Sequence, residues 1–153
     1  MVRKAYRRMV LLHKLFEFQL TVEDMVEIYT MYIMSILESS AVVGHSSIPK
    51  GEEIEIERIQ KVALIIILNK NYDNYEDALS LTGLVTLNER RVGLCRRFAE
   101  SSVKSENTSH MFPLNPSSVK TRNHETYFVQ HAETSRLKDS AIPYMQRMLN
   151  GLC

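Results

Sequence analysis

The chain has 153 residues, no tryptophan and only two cysteines, Cys95 and Cys153, so it cannot build a disulfide framework. Its five glycines are all isolated, which excludes a glycine-rich phosphate loop. His13, His45, His110, His124 and His131 are scattered, and neither a CxxC nor an HxxxH pair occurs, so the short ligand spacings of a zinc site are missing. Uninterrupted apolar runs fall far short of the ~20 residues that span a bilayer. Near the start, cations precede Met9-Val10-Leu11-Leu12, but this run is shorter than the ~7–15-residue core of a secretory signal. The expectation is therefore an intracellular protein, cytoplasmic or nuclear, with no membrane partner.

Enzymatic chemistry is equally short of candidates. Two-metal catalysis needs clustered carboxylates, and the closest pairs are Glu23 with Asp24 and Glu76 with Asp77. Both fall at expected helix starts, where the helix dipole favours acids without any metal. A serine nucleophile would sit on a Gly-x-Ser-x-Gly elbow, and none is present. Cys95 lies in mid-helix among arginines and is expected to be a small core residue, while Cys153 is expected to carry a free thiol. No catalytic residue, metal site, cofactor or small-molecule substrate is predicted.

Hydrophobic residues make up 44% of the chain, enough for a folded core at this length. The net charge of +1 conceals a strong segregation. Residues 1–20 carry +4, residues 21–60 carry −6, and residues 86–110 carry +2. Such a basic start can pair with the acidic middle or face a polyanion.

Helical spacing dominates the first two-thirds. In residues 3–18, Ala5, Met9, Leu12 and Phe16 share an arc, with Arg3, Arg7 and Lys14 opposite. Thr21 is placed to cap a second helix that carries Met25, Ile28, Tyr29, Tyr32, Ile33, Ile36 and Leu37 to about Ala41. Residues 46–51 read as a loop, with Pro49 and Gly51 as breakers. A third helix is expected from about Glu52 to Leu68, with Ile59, Val62, Ala63 and Ile66 inward. Asn74 or Asp73 caps a short helix through Leu81, which Gly83 ends in a left-handed conformation. Thr86 and Glu89 form the reciprocal pair that opens a fifth helix to about Lys104. On it Leu87, Leu94, Cys95 and Phe98 share an apolar face, and Arg91 points into that face, where its guanidinium must find an acceptor or water. Residues 106–126 read as a polar linker, followed by an apolar Tyr127-Phe128-Val129 anchor or short strand and a last helix within 140–150. The predicted fold is all-α: a bundle of about five helices over residues 1–105, then an irregular extension over 106–153.

What remains are cations in rows. Arg3, Arg7 and Lys14 line one helix, and Arg90, Arg97 and Lys104 repeat every seven residues on another. Phosphates meeting such rows release counterions, which gives affinity without sequence preference. The opposing expectation is that these rows are solvated faces or pair with Glu52, Glu53, Glu55 and Glu57.

Several segments carry a resemblance. Ile-Tyr-Thr-Met-Tyr-Ile-Met-Ser-Ile-Leu-Glu-Ser-Ser-Ala-Val-Val-Gly-His-Ser-Ser (28–47), Ile-Glu-Arg-Ile-Gln-Lys-Val-Ala-Leu-Ile-Ile-Ile-Leu (56–68) and Tyr-Glu-Asp-Ala-Leu-Ser-Leu-Thr-Gly-Leu-Val-Thr-Leu-Asn-Glu-Arg-Arg (75–91) follow one another, then Leu-Cys-Arg-Arg-Phe-Ala (94–99) and Ile-Pro-Tyr-Met-Gln-Arg-Met-Leu-Asn (142–150). In this order they resemble the region downstream of the polymerase core in non-LTR retrotransposon reverse transcriptases of the jockey/CR1-like type. The chain departs from that pattern at Gly44, where the family usually has tryptophan, and at Ile65, where it usually has arginine. The resemblance implies a noncatalytic piece, because the family's Tyr/Phe-Ala-Asp-Asp motif does not occur in these residues. It also implies that the basic helices help hold RNA or an RNA–DNA duplex. A helical protein-interaction or structural module, or a nonfunctional retroelement relic, is the alternative expectation.

Overall fold

A computed structural model describes residues 1–116 and 126–152. Part of the expected linker, together with His124 and Cys153, lies outside the described residues. The protein is all-α, with about seven helices rather than about five and no strand among the described residues. These are α1 (Val2–Glu17), α2 (Val22–Ser47), α3 (Lys50–Leu68), α4 (Tyr75–Thr82), α5 (Leu87–Lys104), α6 (Ser135–Lys138) and α7 (Ala141–Leu149).

The chain forms two compact units. The first comprises Met1–Ser40 and Pro49–Arg90, and the second Ala41–Ile48 and Arg91–Cys153. The compositional change at 105–106 therefore falls inside the second unit and not at its edge. The physical reason is that Ala99 and Val103 of α5 need a partner for their apolar side chains, and the segment after 105 supplies it.

In the first unit α1 buries Ala5, Met9 and Leu12, whereas Phe16 stays partly outside at 41% exposure. From α2 the buried side chains are Met25, Tyr29, Ile33, Met34 and Leu37. At 3.6 residues per turn a spacing of four drifts by about 40° per step, so Met25, Tyr29, Ile33 and Leu37 would leave one face in a regular helix. The π-helical turn Tyr29–Met34 prevents this, because its wider i→i+5 winding rotates each residue less. The same turn brings Met34 inward and leaves Tyr32 exposed, against the sequence expectation for Tyr32. By length and composition alone α2 is enough to cross a bilayer, which uninterrupted apolar runs did not reveal.

Helix α3 begins at Lys50, with Gly51 inside its first turn, so the expected loop is shorter than residues 46–51. Its inward stripe is Ile56, Ile59, Gln60, Ala63, Leu64, Ile67 and Leu68, with Val62 and Ile66 at the margin. Gln60 is tolerated there because its Nε2 donates to the Val85 carbonyl at 2.9 Å.

The local signals hold where capping chemistry sets them. The Asp24 amide donates to Thr21 Oγ1 at 3.2 Å, and the Asp77 amide to Asn74 Oδ1 at 2.9 Å. Gly83 takes φ +66° after α4, and the Leu84 amide reaches the Leu79 carbonyl at 3.0 Å, which closes the helix with a Schellman turn. Thr86 and Glu89 exchange the two bonds of a capping box at 3.2 and 3.3 Å.

In the second unit Ala99, Phe112 and Met145 form the core, joined by Val42, Val103, Tyr127 and Ile142. Tyr127 does anchor the tail, through a single antiparallel bridge to Leu114. Two amide side chains, Gln146 of α7 and Asn150 just past its end, hold the irregular segments in place of a strand. Gln146 accepts from the Gln130 amide and donates to the Met111 carbonyl, each at 2.9 Å. Asn150 accepts from the Tyr127 amide and donates to its carbonyl.

Candidate nucleic-acid interface

Helix α1 exists because its apolar residues recur at helical spacing, and burying them fixes which face looks outward. At about 100° per residue, Arg3, Arg7 and Lys14 fall within ~40° of one another. All three are exposed, as is Lys4. Neither Arg3 nor Arg7 makes an ion pair among the described residues. Of the glutamates that were expected to compete, Glu52 and Glu55 line a surface hollow with Arg3 without closing an ion pair to it, and two of the four have partners elsewhere. Glu55 pairs with Arg58 at 3.6 Å, while Glu57 Oε1 accepts from the Tyr75 hydroxyl and, at 3.4 Å, from the Leu87 amide.

Arg8 was not singled out by the sequence. It leaves the cation line by about 100° from Arg7, donates to the Tyr32 carbonyl and lies 4.1 Å over the Tyr32 ring. Its partner becomes exposed only through the π turn, which no sequence period announces.

The second row behaves differently. Arg90 forms an ion pair with Glu38, whose side chain is only 15% exposed. A half-buried guanidinium held by a carboxylate is not available to a phosphate without breaking that pair. Arg90 is therefore withdrawn from the set of phosphate ligands. Arg97 and Lys104 are exposed. Arg3, Arg7, Lys14 and Arg90 belong to the first unit, Arg97 and Lys104 to the second.

The inward line of α5 is Leu87, Arg91, Cys95, Ala99 and Ser102, with Phe98 exposed and Leu94 at the margin. Arg91 is indeed buried, at 2% exposure. Burial pushes the Cys95 thiol above its ordinary pKa, with Arg91 pulling the other way. This is the reverse of the lowered pKa that marks a nucleophilic cysteine. Cys95 instead donates weakly to the Ala41 carbonyl at 3.4 Å.

A cleft of about 460 Å³ in the first unit is lined by Lys50, Glu53, Ile54, Glu57, Tyr75 and Thr86 among others. Its central carboxylate is already engaged, since the Tyr75 hydroxyl and the Leu87 amide at the start of α5 both donate to Glu57. Beneath it Tyr29 is fully buried, and its hydroxyl has no hydrogen-bond partner among the described residues. No group of three or more metal-ligating side chains converges among the described residues. Glu23, Asp24, Glu76 and Asp77 lie in the first turns of α2 and α4.

No family model, curated protein or solved structure matches this chain.

Proposed function

We infer that the protein is a noncatalytic, retroelement-derived module that binds RNA or an RNA–DNA duplex through phosphate contacts. The observation that supports this most is the α1 line, where Arg3, Arg7 and Lys14 are exposed together and Arg3 and Arg7 make no ion pair among the described residues, although Glu52 and Glu55 share a surface hollow with Arg3. Arg97 and Lys104 add cations on α5. The resemblance of residues 28–47, 56–68, 75–91, 94–99 and 142–150 to the post-polymerase region of jockey/CR1-like reverse transcriptases points the same way. The resemblance implies basic helices that help hold template or primer, in a region that lies downstream of the polymerase aspartates. The module grips charged backbone and leaves chemistry to another part of the machinery. Each neutralised phosphate steepens the salt dependence by about 0.7–0.9 in log–log slope. Filter binding of the full chain to RNA and to an RNA–DNA duplex at low salt tests the proposal. Retention that weakens steeply with salt supports it, and absence of binding to both overturns it.

A further inference from the structure

The outward face of α1 is not composed like a solvated helix surface. Between Arg7 and Lys14, which stand about 10 Å apart along the axis at ~1.5 Å per residue, the face carries Val10 and Leu11, both exposed. Lys14 is followed four residues later by Phe18, which closes the helix and is 75% exposed. On a ~100° wheel Leu11 and Phe18 sit within about 40° of Arg7, so cations and apolar groups share one stripe about 22 Å long from Arg3 to Phe18. Tyr6, also exposed, flanks that stripe. The opposite side of α1 is already used, with Ala5, Met9 and Leu12 in the core.

A polyanion that also offers flat apolar surface satisfies both halves of this stripe. Paired bases hide their faces inside the stack, so a duplex would meet the cations and leave Val10, Leu11 and Phe18 in water. Unpaired bases expose those faces and stack on aromatic side chains with little regard to sequence. An anionic membrane fits less well. A surface-seeking helix separates its apolar face from its cations, whereas here Arg7 and Lys14 lie on the same line as the apolar groups and would have to be dragged into the headgroup region with them.

We propose that the outer stripe of α1 is a single-strand platform, in which Arg3, Arg7 and Lys14 track phosphates and Phe18 stacks on a base. The proposal rests on the nucleic-acid reading above and sharpens its ligand to the unpaired form. The footprint of about 22 Å suits a short segment, within the ~4–16 nucleotides that one compact domain covers.

The test uses the full chain, an oligouridylate of about ten residues, an RNA–DNA duplex of matched length, and vesicles of phosphatidylcholine with phosphatidylserine. The single strand is expected to bind at least about tenfold more tightly than the duplex. Phe18→Ala should lose roughly tenfold in single-strand affinity while leaving duplex affinity and the salt slope unchanged. Because the chain has no tryptophan, Phe18→Trp introduces one indole, whose emission should be quenched by the oligouridylate and not by the duplex. Phe18 is too exposed for these changes to threaten folding. Equal affinity for both nucleic acids with a silent Phe18→Ala overturns the platform and leaves the phosphate reading standing. Binding to neither, or to the vesicles alone, overturns both.

Discussion

Asn150 and Tyr127 exchange two hydrogen bonds: the Tyr127 amide donates to Asn150 Oδ1 at 2.9 Å, and Asn150 Nδ2 donates to the Tyr127 carbonyl at 2.8 Å. One side-chain amide thus presents the donor and acceptor that a neighbouring strand would present. It holds Tyr127 against the core of the second unit, where no helix or ladder satisfies that backbone. Asn150→Ala should destabilise the second unit by about 1–3 kcal/mol, because both backbone groups lose their partners in a part-buried site. Asn150→Asp keeps the acceptor and should retain part of that stability. Hydrogen exchange at the Tyr127 amide reports the effect directly, and unchanged protection in Asn150→Ala would count against the clamp.

The Glu38–Arg90 pair joins residues 52 positions apart within the first unit. Its guanidinium is about one-third exposed, so solvent screening discounts its worth. Arg90→Ala should cost about 1–2 kcal/mol, mainly because Glu38 is left part-buried without its cation. A double-mutant cycle with Glu38→Gln should recover most of that loss. Urea denaturation of the four proteins measures it, and strictly additive losses would show that the pair is not coupled.

Two tyrosines make stability pH-dependent at the alkaline end. Burial holds Tyr29 and Tyr75 well above the ordinary tyrosine pKa, with Glu57 adding to both. The unfolded chain loses these protons near pH ~10 while the folded chain keeps them, so unfolding releases protons and stability falls as pH rises past that point. Fully buried Tyr29 contributes a slope of up to about −1.4 kcal/mol per pH unit over the range where only the unfolded chain has lost the proton, and half-buried Tyr75 contributes less because solvent screens it. Tyr29→Phe should flatten the alkaline fall. It should also raise stability near neutrality by about 1 kcal/mol, because it removes a buried hydroxyl with no partner among the described residues. Thermal melts from pH 7 to 11 distinguish the two effects.

Gln19 ends α1 at φ +55°, a left-handed conformation that costs a residue with a Cβ about 1–2 kcal/mol. Gln19→Gly relieves that cost and loses some of the gain to greater freedom of the unfolded chain. A net stabilisation of about 0.5–1 kcal/mol is expected in chemical denaturation. Gly83→Ala is its mirror, expected to lose about 1 kcal/mol through φ +66° alone, since an added Cβ there meets nothing within 4 Å.

How much of this was legible in the chain depended on the range of the interaction. Thr21, Asn74, Gly83, Thr86 and Glu89 act over three to five residues, and each was found where its chemistry put it. The cation line of α1 was legible for the same reason, being a matter of helical spacing. Register inside α2 was not, because a π turn shifts Tyr32 outward and Met34 inward without altering composition. Phe16 and Phe98 were expected inside from periodicity alone, yet both are part-exposed, since periodicity does not say where a neighbouring helix stops. Arg90 looked like a phosphate ligand until the fold brought Glu38 to it. Gln146 and Asn150, polar residues amid apolar ones, gave no signal of their role, because their partners are backbone groups far along the chain.

The salt dependence of nucleic-acid binding, compared across charge variants, addresses the central claim most directly. Replacing Arg3 and Arg7 together by glutamine should make the slope of log affinity against log salt shallower by about 1.5, while Arg90→Gln, whose charge is already held by Glu38, should leave it unchanged. A slope that follows Arg90 and ignores Arg3 and Arg7, or no measurable binding by the unaltered chain, would contradict the account.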